Sequence, residues 1–128
     1  MRLLLDTHAL IWWMEASPRL SKLAGLAIAE HGTEVYVSAA TAWEMATKFR
    51  LGKLDVRPTL LTSFIEEIEA VDFLQLSVKV AHGLRAGELE GEHKDPFDRM
   101  LIAQAQIEEL TLVSNEAGFD RFGIKRLW

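Results

Sequence analysis

The chain has no cysteine among its 128 residues. That excludes disulfides, zinc–thiolate sites and thiol nucleophiles, and it suits a reducing compartment. Proline is scarce, with three in all. Pro18, Pro58 and Pro96 each read as punctuation beside a helix rather than as part of a proline-rich linker. No long apolar run is present: Met1-Arg2 leads into only three leucines before Asp6, far short of a secretory segment or a membrane span. The expectation is a cytoplasmic protein with no membrane partner. A surplus of positive charge is missing too. The net charge of −5 argues against holding nucleic acid by bulk phosphate attraction, though it leaves room for a basic protein partner or a cation among the acids. There are no repeats and no low-complexity stretches.

What remains is 49% hydrophobic content in a chain long enough for one sizeable core, so a single domain over residues 1–128 is expected. Strand and helix signals alternate along it. Arg2–Leu5 reads as a buried strand ending at Asp6, with Thr7 able to cap the apolar helix that follows, Ala9–Glu15. Ser17-Pro18 stops that helix, Ser21 caps a second one to about His31, and Gly32 closes it. Val35–Ser38 is the second strand. Thr41 and Glu44 then stand at capping-box spacing at the head of a helix that Gly52 ends, with Lys48 and Lys53 read as dipole partners and solvated charges. Thr59–Ala70 has an apolar face of Leu60, Leu61, Phe64, Ile65 and Ile68 and reads as one helix. Phe73–Leu76 is a third strand, and Val78–Gly87 a helix whose His82 reads as structural. Thr111–Ser114 and Ile124–Leu127 complete the strands. The class is α/β, with a mainly parallel central sheet flanked by helices in three layers.

The most informative run is His93–Ala105. Asp95 sits where an N-cap belongs and Pro96 at the first helical position, where the missing N–H is harmless. Asp98 falls in the first turn, near the positive end of the helix dipole. From Met100 on, the helix is apolar on more than one face and is expected to be buried, with its charged end opening into a cleft. A polar, glycine-containing loop, Gly87–His93, leads into it.

Four acids therefore share one kind of place. Asp6 ends the first strand, Glu44 opens the helix after the second, Asp98 opens the helix before the fourth, and Glu116 follows the fourth. In a wound parallel sheet these positions converge on the carboxyl edge, where ligands bind. Carboxylates brought together repel unless a cation sits among them, and hard oxygen ligands suit Mg²⁺ or Mn²⁺. One or two such ions orient and acidify a water and offset the charge that builds on a phosphate in displacement. The constellation points to a metal-dependent phosphodiesterase.

The stretches Leu3-Leu-Leu-Asp6-Thr7-His8, Ser38-Ala-Ala-Thr-Ala-Trp-Glu44-Met, Leu51-Gly-Lys-Leu, Asp95-Pro-Phe-Asp98-Arg-Met-Leu-Ile-Ala-Gln-Ala and Phe122-Gly-Ile-Lys-Arg-Leu-Trp128 together resemble the PIN-domain ribonucleases. Within them they are most similar to the VapC-type toxins of bacterial toxin–antitoxin pairs. The resemblance runs over essentially the whole chain. It implies a PIN-like fold and a cytoplasmic, Mg²⁺- or Mn²⁺-dependent endoribonuclease acting on RNA, usually a homodimer, neutralised by a cognate VapB-type antitoxin. It places Asp6, Glu44 and Asp98 on the family's three central acids. The fourth position usually carries Asp; here Ser114-Asn115-Glu116 offers Glu, one methylene longer, which binds metal directly, through water or weakly. Thr7 and Ser114 become candidates for orienting the ligands. Arg99 is a candidate for substrate phosphate or an antitoxin carboxylate, with an ordinary surface charge as the plain alternative.

Trp12, Trp13, Trp43 and Phe49 are more aromatic surface than a core of this size readily hides, and some are expected to face a twin subunit or the antitoxin. The competing function is a non-catalytic PIN-fold binding module that uses its acidic edge to hold a basic partner. A receiver-like Mg²⁺ domain lacks support, because the pair of adjacent acids near the end of the first strand is missing.

Overall fold

The computed structural model describes residues 1–93 and 95–128; Lys94 lies outside them. Five strands form one sheet: β1 (Arg2–Leu5), β2 (Glu34–Ser38), β3 (Leu74–Leu76), β4 (Thr111–Val113) and β5 (Arg126–Leu127). Their spatial order is β3-β2-β1-β4-β5 and every neighbouring pair is parallel. Parallel strands need crossovers, and among the described residues seven helices supply the first three: α1 (Thr7–Met14), α2 (Lys22–Ala29), α3 (Ala39–Arg50), α4 (Thr59–Thr62), α5 (Phe64–Ala70), α6 (Val80–Glu88) and α7 (Pro96–Glu108).

Side-chain alternation along β1 divides the core. Leu3 and Leu5 point to one face, where they pack with Leu10, Ile28, Met45, Leu60 and Ile68 from α1 to α5. Leu4 points to the other, against Leu101, Ile102 and Ala105 of α7 and against Phe119. A strand covered on both faces has no polar side to show, which is why β1 reads as an unbroken leucine run. No helix among the described residues is long and apolar enough to cross a membrane.

The sequence reading needs four corrections. Asp6, not Thr7, caps α1, accepting the Ala9 N–H at 2.8 Å. The Thr41–Glu44 capping box does not form, because α3 begins at Ala39 with Ser38 as its cap. Thr41 Oγ1 is buried without a hydrogen-bond partner among the described residues, and Glu44 turns to other neighbours. The Thr59–Ala70 helix is broken at Ser63, whose backbone leaves helical geometry at φ −121°. The segment Ala117–Phe122, unassigned from sequence, is a 3-10 turn that inserts Phe119 into the core.

The start of α7 matches the reading: Asp95 Oδ1 accepts the N–H groups of Phe97 at 2.8 Å and Asp98 at 3.1 Å, with Pro96 at the first helical position. The winding direction changes between β1 and β4, so the crevice beyond their carboxyl ends is where a ligand is expected.

A candidate acidic site at the carboxyl edge of the sheet

Asp6 stands at that crevice. Its N–H donates to the Val113 carbonyl at 3.1 Å, which ties the end of β1 to the end of β4. The side chain is 5% exposed. Burial pushes its pKa up, while the Ser114 hydroxyl, the Ala9 N–H and the nearby charge of His8 pull it down and Glu44 pushes it up again. Among the described residues no Lys, Arg or His pairs with this carboxylate. A buried carboxylate with no salt bridge is unusual, since such groups when charged are normally paired or bound to metal.

Glu44 comes in from α3 and is equally buried, at 5% exposed. Its Oε1 accepts a 2.6 Å hydrogen bond from the Thr7 hydroxyl, across 37 positions of sequence, and its Oε2 is held by Lys48 Nζ one helical turn on. Lys48 is thus a partner of the acidic cleft rather than a solvated charge at the helix end.

Asp98, in the first turn of α7, is half-buried. Burial raises its pKa to about 6; contact with His93, whose Nε2 lies 2.9 Å from Oδ2, opposes the rise, and Asp95 and Glu44 reinforce it. His93 is fixed in turn by edge-on packing against Phe119, with ring centroids 5.3 Å apart.

The structure brings Asp6, Glu44 and Asp98 close enough for Glu44 to raise the pKa of both aspartates. Glu116 is not among the groups that shift either aspartate. Glu116 is exposed at the entry to the 3-10 turn, with its own N–H donating to Ser114 Oγ at 3.1 Å. Arg99, a candidate for substrate phosphate, is otherwise engaged. Its guanidinium donates to the carbonyls of Ala86, Gly87, Leu89 and His93, so it pins the loop that carries His93. Sequence reasoning missed Lys48 and His93 as neighbours of the acids. The only signal for Lys48 was its i+4 spacing from Glu44.

The donors suit a hard divalent ion: they are carboxylates, mutually repelling, and Asp6 has no salt-bridge partner among the described residues. Among the described residues, however, no three acids or histidines stand close enough to grip one ion in this arrangement. Glu44 and Asp98 are each turned toward a side chain of the protein itself, Lys48 and His93.

Beside the acids lies an apolar groove of about 420 Å³ walled by Trp43, Val78, Phe97 and Met100. Trp43 is 63% exposed and meets Phe97 edge-on at 4.8 Å. The other aromatics flagged from sequence differ. Trp12 and Trp13 pack against the core, and Phe49 is borderline at 37% exposed.

An all-parallel, three-layer α/β domain with carboxylates at the switch point of its sheet is the class that fold and geometry define. The chain belongs to the PIN domain family, whose model matches residues 3–125. Among solved structures it is similar to the VapBC2 complex of Rickettsia felis bound to a promoter DNA fragment, with a TM-score of 0.72 at 16% identity over 99% of this chain and 98% of that one. DNA-bound VapBC of Salmonella typhimurium gives 0.70 at 18% identity, over 99% and 97% of the two chains. VapBC-1 of nontypeable Haemophilus influenzae gives 0.65 at 17% identity, again over 99% and 97%. No curated protein matches the sequence.

Proposed function

We propose that this chain is a Mg²⁺- or Mn²⁺-dependent endoribonuclease, the VapC-type toxin of a toxin–antitoxin pair, acting in the cytoplasm as a homodimer and silenced by a VapB-type antitoxin. Membership of a family whose domains are generally nucleases supports the reaction class, and the toxin–antitoxin complexes among its structural relatives support the partner. The observation that carries the reading is Asp6: a buried carboxylate with no salt-bridge partner among the described residues, at the crevice where an α/β sheet binds its ligand.

Asp6, Glu44 and Asp98 would hold the ion, with Glu116 at the rim. When bound, the ion supplies positive charge against a phosphate and acidifies a water. The remaining work falls to the chain. The Ala9 N–H and the Ser114 hydroxyl fix the direction of the Asp6 carboxylate, and the Thr7 hydroxyl fixes Glu44. Asp98 must be ionised to serve as a ligand, which its pKa of about 6 permits at neutral pH. The groove around Trp43 is a fitting seat for an apolar side chain of the antitoxin or a twin subunit.

Total cellular RNA incubated with wild type and with Asp98→Asn, each with Mg²⁺ or Mn²⁺ and each with EDTA, tests the proposal. Cleavage that needs both the metal and Asp98 is expected. Tight partner binding that survives loss of the acids, with no cleavage by any sample, would favour the binding module instead.

A further inference from the structure

We propose that Lys48 is a built-in counter-ion of the acidic cleft, occupying Glu44 in the metal-free chain and competing with a divalent cation for it. The inference rests on the nuclease reading above, because it concerns the same acids, but it assigns a role to a residue outside the acid set.

The geometry differs from that of an ordinary surface pair. An i,i+4 Glu–Lys pair on an exposed helix face is worth little, since water screens both ends. Here the Glu44 side chain is only 6% exposed, and the Lys48 side chain lies partly folded in at 36%. The ammonium bonds to Glu44 and feels the charges of Asp95 and Asp98. It also stands 5.9 Å from the centre of the Phe97 ring, which lines the mouth of the cleft. With Thr7 on the other oxygen, both oxygens of Glu44 are taken. A divalent ion that binds Glu44 through Oε2 therefore competes with the ammonium for that oxygen. Lysine suits that exchange, being a compact charge on a flexible stem that can swing aside.

The test is a Mn²⁺ titration of the full chain, reading free Mn²⁺ by its electron paramagnetic resonance signal. Wild type is compared with Lys48→Met, Lys48→Gln, Lys48→Arg and Asp6→Asn, and thermal melts in EDTA run alongside. Removing a competing charge of this kind should tighten Mn²⁺ binding roughly tenfold in the Met and Gln variants, while Arg stays near wild type. In EDTA both neutral variants should melt lower than wild type, and the deficit should close as Mn²⁺ is added. Wild type that binds Mn²⁺ in an Asp6-dependent way, with Met and Gln variants that bind it equally or more weakly, would overturn the Lys48 proposal and leave the metal site standing. No Mn²⁺ binding by any of the proteins would overturn both.

Discussion

Two buried polar clusters lie at the carboxyl end of this sheet, and they are built on opposite rules. One is the network beneath α7. Gln104, fully buried, accepts from the Ser38 hydroxyl at 2.6 Å and donates to the Ser77 carbonyl at 3.2 Å. His82, also fully buried, accepts the Lys79 N–H at Nδ1 at 2.9 Å, which leaves Nε2 to donate to Glu108 at 3.1 Å. Its central groups are matched by partners from the protein itself. The other cluster is Asp6, Glu44 and Asp98, where burial raises the pKa of both aspartates and Asp6 has no salt-bridge partner among the described residues. A network satisfied from within stabilises the fold, whereas one left short of positive charge is poised for something from outside.

The sharpest way to break the comparison is to remove function without removing fold. Asp6→Asn keeps an oxygen for the Ala9 N–H, so it should fold, yet RNA cleavage should fall by roughly a thousandfold, about 4 kcal/mol of transition-state stabilisation. Cleavage assays against wild type at saturating Mg²⁺ measure it.

The converse change comes next. Gln104→Ala strands the Ser38 hydroxyl and the Ser77 carbonyl in a dry site and leaves a cavity, so unfolding in urea should show a loss of about 2–4 kcal/mol.

Smaller, and of opposite sign, is Asp98→Asn without metal. The folded-state pKa of Asp98 is raised from 3.8 to about 6, so the stability this carboxyl contributes is full below pH 4 and lost as pH rises through 6. Asparagine does not titrate. The variant should match wild type near pH 4 and exceed it by about 1–2 kcal/mol at pH 7 in EDTA, after a discount for partial exposure and the lost His93 contact. Melts across that pH range read the difference directly.

The smallest effect on stability should come from Trp43→Ala. With 63% of this residue exposed, the change should be within about 1 kcal/mol, while binding of the antitoxin or of a second subunit weakens. A large drop in stability with partner binding intact would make Trp43 a packing residue.

Much of this arrangement was legible from residue order. The alternation of apolar runs with helical patterns gave the α/β class, and the Asp95-Pro96 pair marked the start of α7. His82 read as structural, and it is held at both ring nitrogens. Features set by distant neighbours were not legible. The Thr41-x-x-Glu44 spacing is a genuine capping signature, but Ser38 starts α3 three residues earlier, and Glu44 is claimed by Thr7 from another helix. The break at Ser63 was hidden because Leu60, Leu61, Phe64 and Ile68 keep helical spacing across it. The 3-10 turn has no apolar period at all; only Phe119 anchors it. Arg99 read as a phosphate or antitoxin contact or an ordinary surface charge, because four backbone carbonyls that converge on one guanidinium leave no trace in the sequence. Lys48 was misread because a lysine near a helix end has a sufficient local explanation.

The contrast between the two clusters is tested most directly by melting Asp6→Asn and Gln104→Ala side by side with wild type at neutral pH in EDTA. The account predicts shifts of opposite sign: Asp6→Asn melts higher, because a charge that burial disfavours has gone, and Gln104→Ala melts lower. If Asp6→Asn fell as far as Gln104→Ala, the Asp6 carboxylate would be a satisfied structural group, and the claim that this cleft awaits a cation would be wrong.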